Sequence, residues 1–367
     1  MIFIPSFTLV SILSLSVALP ATAKVLPVLG PHHFDVSITA VSLTDNGRIN
    51  PFSKDRTPRK LMLSIYNPAP KCLKKSLQPY MPSSTASFMD AKFGAYGLPN
   101  GSFPALQLET CISTPRSRQR QDFPLVLFSP ALGTSRLLYS STLHSLASAG
   151  YHVVSIDHPY DADVVEFPDG TTIKGIDISD EEVESALATR VDDLAFVQRR
   201  FTQGCRRKTA LLGHSLGGAA AASSLLAHPS LFAGAVNLDG SMFGPILTTN
   251  TSLKQPFMLM GHDNKTQDTD PSWKAVWPRL SGWKREFEVK GAQHYGFSDL
   301  PLVIEVLGLR KGLPEVVGQL LGDVEGSRMV GLMVEYVAAF LDMVLKGGKG
   351  GFERLGREFK EVVLRDE

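Results

Sequence analysis

The sequence predicts an α/β fold, a mostly parallel sheet with helices on both faces, and three observations carry that reading. Short apolar runs alternate with helix-length amphipathic patterns through the middle of the chain. Strands alternating with helices imply parallel strands joined by crossovers. No internal repeat and no interior linker divides the chain. The composition is that of a globular protein, with 367 residues of which 43% are hydrophobic and 20% charged, long enough for one large core.

The N-terminus reads as a cleaved leader covering residues 1–23. An apolar run from Ile2 to Leu19 precedes Ala21-Thr22-Ala23. The small first and third residues of that triplet suit signal peptidase. A membrane anchor is the other reading, opposed by Pro5 and five serines or threonines in the run. The expected mature domain is therefore 24–367, secreted. Three glycosylation sequons, at Asn100, Asn250 and Asn264, agree with that. Of the three cysteines, Cys72 and Cys111 flank one Pro/Ser-rich stretch and are expected to pair, leaving Cys205 free. No CxxC spacing supports a zinc or redox site.

Residues 34–44 and 60–66 alternate as strands do. The stretch 67–122, rich in Pro, Ser and Gly, is expected to be a loop excursion. "PLVLFSP" (124–130), "YHVVSID" (151–157), "TALLGHS" (209–215), "FAGAVNLDG" (232–240), "PFMLMGHD" (256–263) and "REFEVKGAQH" (285–294) read as strands. Helical patterns cover 131–150, 181–201 and 216–228. In the second of these, acids come early and arginines late, as the helix dipole prefers. The tail 347–367 is expected to be a glycine hinge and a polar surface helix or frayed end. The net charge is +1, which argues against a polyanionic partner. The basic stretches 115–120 and 199–208 read as solvated loops, since neither interleaves aromatics.

Gly213-His214-Ser215-Leu216-Gly217 fits G-x-S-x-G between a strand and a helix. That context marks a nucleophile elbow, where a strained turn lifts a serine out of the sheet. A serine needs a histidine base and an acid to hold it, here in the order Ser, acid, His. Of nine histidines, only His228, His262 and His294 follow Ser215. His228 ends the helix that Ser215 starts. His262 follows its strand too directly to leave room for an acid. His294, on a loop after the last strand, is the expected base. The acid is Asp239 or Asp263, each at a strand end. Asp239 is preferred because a triad acid should be shielded from water. The oxyanion donors are expected at Leu216 and, in the loop after 124–130, at Leu132. His158, Asp161 and Asp163 read as a pocket-wall loop rather than a metal site. The apolar segment 296–322 is either core packing or a rim that rests on a lipid surface. No metal and no cofactor are expected.

The segments "PLVLFSPALGTSRLLYSSTLHSLASAGYHVVSIDHP", "GHSLGG", "NLDGSM" and "GAQHYGFSDLP" resemble the platelet-activating factor acetylhydrolase family in its secreted type-II branch, in a fungal form. The likeness spans about 124–303. It implies an α/β-hydrolase fold and calcium-independent hydrolysis of short acyl chains, the sn-2 acetyl of platelet-activating-factor-like phospholipids above all. It also implies Ser215, Asp239 and His294 as the triad, with Leu132 and Leu216 at the oxyanion. Where the family has His-Gly ahead of its Leu-Gly pair, this chain has Pro130-Ala131. The expected partner is a small lipid or ester. The competing readings are a general carboxylesterase and a non-catalytic binding protein on a hydrolase scaffold.

Overall fold

The central strands are mostly apolar and buried along nearly their whole length because both of their faces are covered. In the computed structural model, which describes residues 23–112, 123–205 and 207–365, the chain opens with β1 (Lys24–Leu26), β2 (Asp35–Ile49), β3 (Pro58–Ala69), β4 (Lys75–Pro79), α1 (Ser83–Gly94) and β5 (Leu106–Cys111). Then come β6 (Leu125–Ser129), α2 (Ser140–Ser148), β7 (His152–Asp157), β8 (Val164–Glu166), β9 (Thr172–Lys174), α3 (Val183–Thr202), β10 (Thr209–His214) and α4 (Leu216–Ala227). The chain closes with β11 (Ala235–Leu238), α5 (Pro245–Thr248), β12 (Phe257–Gly261), α6 (Pro271–Val276), β13 (Lys284–Val289), α7 (Leu300–Leu307), α8 (Glu315–Leu321), α9 (Gly326–Leu341), α10 (Phe352–Glu358) and β14 (Val362–Leu364).

Nine strands form one sheet in the order β14-β13-β12-β11-β10-β6-β7-β3-β2. From β7 to β13 the pairing is parallel throughout. β2, β3 and β14 are antiparallel additions at the two sides. Alternate residues of each strand feed two cores. Val126 and Phe128 of β6 face α2, α7, α9 and α10, through Leu143, Val303, Met333 and Leu355. Leu125 and Leu127 face α3, α4 and α6, through Leu194, Ala219 and Trp273. Burying a Leu or Phe side chain is worth about 1.5–3 kcal/mol, so a one-residue slip would exchange every contact between the cores. The strand order changes direction between β6 and β10. Crossover helices leave to opposite sides there, and the loops at the carboxyl ends of these two strands bound a crevice.

Two stretches differ from expectation. Residues 67–112, the described part of the expected 67–122 loop, carry β4, α1 and β5, and β1, β5 and β4 form a second, three-stranded sheet. Tyr80, Met89, Phe103 and Leu106 from this stretch enter the main core, and Cys72 and Cys111 are disulfide-bonded with a Cα–Cα distance of 5.6 Å. The tail carries the expected polar helix, α10, but is anchored to the core rather than frayed. Leu355 of α10, Phe359 and Val362 are buried, Phe352 stacks on Trp283 and Phe287, and β14 pairs with β13. Arg199 and Arg200 lie in the last turn of α3, exposed, rather than in a loop. The expected leader through residue 22 and the basic stretch 115–120 lie outside the described residues. Among the described residues no helix is long and apolar enough to cross a membrane.

Candidate active site

Ser215 sits between β10 and α4 with φ 55° and ψ −124°. That is a costly conformation for a residue with a side chain, and the surrounding packing holds it. A Cβ on Gly213 would lie 2.1 Å from the Gly217 carbonyl oxygen. One on Gly217 would lie 2.0 Å from the Ser129 carbonyl oxygen. Both glycines are therefore required by close backbone approach. The second contact presses the end of β6 against the elbow. The Ser215 amide donates to Leu238 O at 2.9 Å, which ties the elbow to β11 on its other side.

The structure brings Ser215, His294 and Asp239 together. Ser215 Oγ is 3.0 Å from His294 Nε2, and His294 Nδ1 donates to Asp239 Oδ2. Asp239 is 1% exposed, while the His294 side chain is 38% exposed. The base is thus open to a substrate and its acid is shielded. Burial pushes the Asp239 carboxyl up, but hydrogen bonds from His262 and His294 outweigh it and hold the group well below the usual carboxylate range. His262 is the residue that chain-order reasoning missed. Its ring Nδ1 lies 2.7 Å from Asp239 Oδ1, and its backbone amide donates to the same oxygen at 2.8 Å. Asp263 does not reach His294. Its carboxylate accepts from the Gly291 amide at 3.0 Å and from Lys290 Nζ at 3.1 Å, bracing the start of the His294 loop. His228 caps the far end of α4.

His214, the variable residue of the G-x-S-x-G pattern, is fully buried. Its Nε2 donates to the His294 carbonyl at 3.0 Å. Its Nδ1 must then accept from the Tyr139 hydroxyl at 2.8 Å. Burial, and secondarily the His294 ring, push its pKa down to about 3, so it stays neutral. His214, Asp239 and His294 offer ligand atoms within 4.8 Å of one another, a spacing a cation could use. Both nitrogens of both histidines already have partners, so a cation would have to break those bonds.

The loop after β6 curls through Gly133, at φ 63°. Neither the Leu132 amide nor the Leu216 amide has a hydrogen-bond partner among the described residues. Their neighbours do: Gly133 N donates to Asp161 O at 3.0 Å, and Ala131 N donates to the Tyr139 hydroxyl at 3.3 Å. His158, Asp161 and Asp163 do not form a pocket wall. His158 lies between Ser129 Oγ (3.0 Å) and Asp193 Oδ2 (2.8 Å). Asp161 binds Arg190 (2.6 Å), and Asp163 binds Lys92 (3.0 Å). The loop is drawn inward because His158 and Asp161 find buried partners and Asp163 pairs with the half-buried Lys92. The wall comes from elsewhere. A cavity of about 80 Å³ is lined by Phe93 and Tyr96 near α1, Thr134, Tyr295, and Ile304 and Leu321 from the apolar segment.

This arrangement offers an activated hydroxyl, a proton acceptor and free amides beside an apolar cavity, the requirements of acyl transfer. The alpha/beta hydrolase family model matches residues 126–341. A probable 1-alkyl-2-acetylglycerophosphocholine esterase of Arthroderma benhamiae is 31% identical over 91% of this chain and 92% of its own length. A platelet-activating factor acetylhydrolase of Cavia porcellus is 24% identical over 61% of this chain and 58% of its own. A solved ferulic acid esterase from Streptomyces cinnamoneus superposes with a TM-score of 0.78 at 27% identity, covering 94% of this chain and 99% of that one. The chain therefore belongs to the alpha/beta hydrolase family, as an esterase-type hydrolase akin to the platelet-activating factor acetylhydrolases.

Proposed function

We propose that the protein is a secreted serine esterase that removes short acyl groups, with the sn-2 acetyl of platelet-activating-factor-like phospholipids as its substrate. The observation that carries the reading is the 3.0 Å approach of Ser215 Oγ to His294 Nε2, with Nδ1 on Asp239. Ser215 Oγ attacks the ester carbonyl as His294 Nε2 takes its proton. Asp239 keeps the imidazole in the right tautomer and stabilises the imidazolium. The Leu132 and Leu216 amides receive the oxyanion. His294 then hands the proton to the leaving alcohol, and a water repeats the sequence on the acyl-enzyme.

The short-acyl reading draws on the cavity of about 80 Å³ beside Thr134 and Tyr295. A small apolar space of this kind suits a short acyl chain. Its apolar walls also suit a lipid substrate. Secretion draws on Ala21-Thr22-Ala23, on the Cys72–Cys111 bond, and on the exposure of Asn100, Asn250 and Asn264, which we read as glycan sites. A second reading, a general carboxylesterase for aromatic acyl esters, has the ring walls Phe93, Tyr96 and Tyr295 in its favour.

Ser215→Ala is expected to remove hydrolysis and covalent labelling by a fluorophosphonate, with a loss on the order of 10⁴ or more. Substantial activity in the pure variant would end the nucleophile assignment. Substrate class is tested with 4-nitrophenyl esters from acetyl to palmitoyl, with and without EDTA, and with an sn-2 acetyl phospholipid. Activity should fall with chain length, persist in EDTA and include the phospholipid. Turnover of simple or cinnamoyl-type esters but not of the phospholipid would install the second reading.

A further inference from the structure

We infer that Arg190 is a positioning residue that sets the Leu132 amide for the oxyanion, an inference that rests on the role proposed above for Leu132. Arg190 lies on α3 and is 1% exposed. Its Nη1 donates to the Pro130 carbonyl, and to Ser129 Oγ at 3.1 Å. Its Nε donates to Asp161 Oδ2 at 2.6 Å, and Nη2 takes the other carboxylate oxygen. The backbone carbonyl of that same Asp161 accepts from Gly133 N at 3.0 Å.

The consequence lies in the peptide planes. The Pro130 carbonyl belongs to the 130–131 peptide, and the Gly133 amide to the 132–133 peptide. Arg190 pins the first directly and the second through Asp161. Between them lies the 131–132 peptide, whose N–H is Leu132. A peptide between two fixed neighbours cannot turn over without breaking one of their bonds, so its N–H is oriented before a substrate arrives. Donors fixed in advance are what makes an oxyanion site effective. The guanidinium suits the task because its donors are locked in one plane, whereas a lysine would bring a single rotating head.

A second buried row backs the first. Ser129 Oγ meets His158 Nε2 at 3.0 Å, and His158 Nδ1 meets Asp193 Oδ2 at 2.8 Å. Asp193 is in turn held by Arg59 Nη2 at 2.7 Å. This Ser–His–Asp row copies the composition of the candidate active site. Ser129, His158, Asp193 and Arg59 are all at most 1% exposed, so no substrate reaches them and the row is a brace. A buried ion pair is a weak device for stability, because apolar residues of the same volume commonly serve as well. Here the four hydrogen bonds of Arg190 all go to the loop or to its anchor Asp161.

The test is the kinetics of Arg190→Ala and Arg190→Lys on a soluble acetyl ester, with Ser215→Ala run alongside. Losing one oxyanion donor costs about 10²–10³ in kcat. Arg190→Ala should therefore lose about 10²-fold in kcat with KM and the pH profile unchanged, and added guanidinium ion should restore about tenfold. Arg190→Lys should fall between the parent and Arg190→Ala. A folded Arg190→Ala with kcat within about threefold of the parent overturns the inference. So does a loss that guanidinium does not reverse. If Arg190→Ala does not fold, Ser129→Ala decides: about a tenfold fall in kcat at constant KM supports the brace, and an unchanged kcat overturns it. Activity in Ser215→Ala would instead defeat the nucleophile assignment, whatever Arg190 does.

Discussion

His262 grips Asp239 twice, through its backbone amide at 2.8 Å and its ring Nδ1 at 2.7 Å, both on Oδ1. The carboxylate that orients His294 is therefore itself oriented by a second histidine. His262→Ala should lower kcat by about 10–100-fold, the scale of one lost hydrogen bond to a charged group. KM on a soluble ester should barely change. A loss as deep as that of Ser215→Ala would make His262 a base in its own right, and an unchanged kcat would reduce it to packing.

Asp239→Asn should cost far more than Asp263→Asn. The first substitution removes the acceptor of two histidines in a shielded site, and a triad of this kind loses about 10⁴ in kcat when its acid becomes an amide. The second loosens the exposed Lys290 contact and the Gly291 amide, and should stay within about tenfold. Side-by-side kcat measurements would show the reverse order if Asp263 were the acid.

Acid should destabilise the fold through its buried histidines, partly offset below about pH 6 by Asp299, which burial raises to about 6 and which the folded chain therefore protonates first. Burial depresses His214 to about 3, and His144 and His152 to about 4 each. An unfolded histidine titrates near 6.5, so below that pH the unfolded chain takes up protons that the folded chain refuses. The penalty is absent above about pH 6.5 and grows by up to about 1.4 kcal/mol per group for each pH unit below it. Asp239, whose pKa is depressed, adds its own loss only below about 3.9, its unfolded value. Melting temperatures at pH 7.5, 5.5 and 4.5 should fall steadily, and a flat series would contradict the assignment of neutral buried imidazoles.

Removing the Cys72–Cys111 bond, which spans 39 residues, should cost about 4 kcal/mol if chain entropy dominates. The bond also encloses α1, next to which Phe93 and Tyr96 line the cavity. A Cys72→Ser/Cys111→Ser variant should therefore melt earlier and show a raised KM with kcat kept. Loss of kcat at constant KM would mean that the bond supports the reacting groups instead.

The convergence of Ser215, Asp239 and His294 is legible in the sequence because Ser215 and Asp239 each follow an apolar strand, His294 follows the last strand of the run, and few rival residues lie nearby. His262 is hidden by an assumption rather than by its surroundings. Elimination by chain order allots one histidine to one acid, and His262 directly follows a strand end beside Asp239 in the sheet. The parallel core reads well because its runs are apolar on both faces. Residues 67–122 read poorly because Pro, Ser and Gly mask the alternation in Leu106-Gln107-Leu108-Glu109-Thr110-Cys111, and because α1 has no clear apolar stripe. The tail helix is legible, but its anchoring is not, because its glycines suggest slack while the residues that hold it, Phe352, Leu355 and Phe359, are spaced among charges.

That tail has a consequence for how the molecule behaves among its own copies. A sheet whose outermost strand is long and apolar invites another chain to add to it. Here the strand on that side of the sheet, β14, is only three residues long and covers Phe287 to Val289 of β13. The sheet thus ends on that side in a short cover. A truncation before Phe352 would leave β13 uncovered and bare the rings of Trp283 and Phe287 beside it. Such a chain is expected to precipitate during expression even though every residue of the candidate active site is present in it.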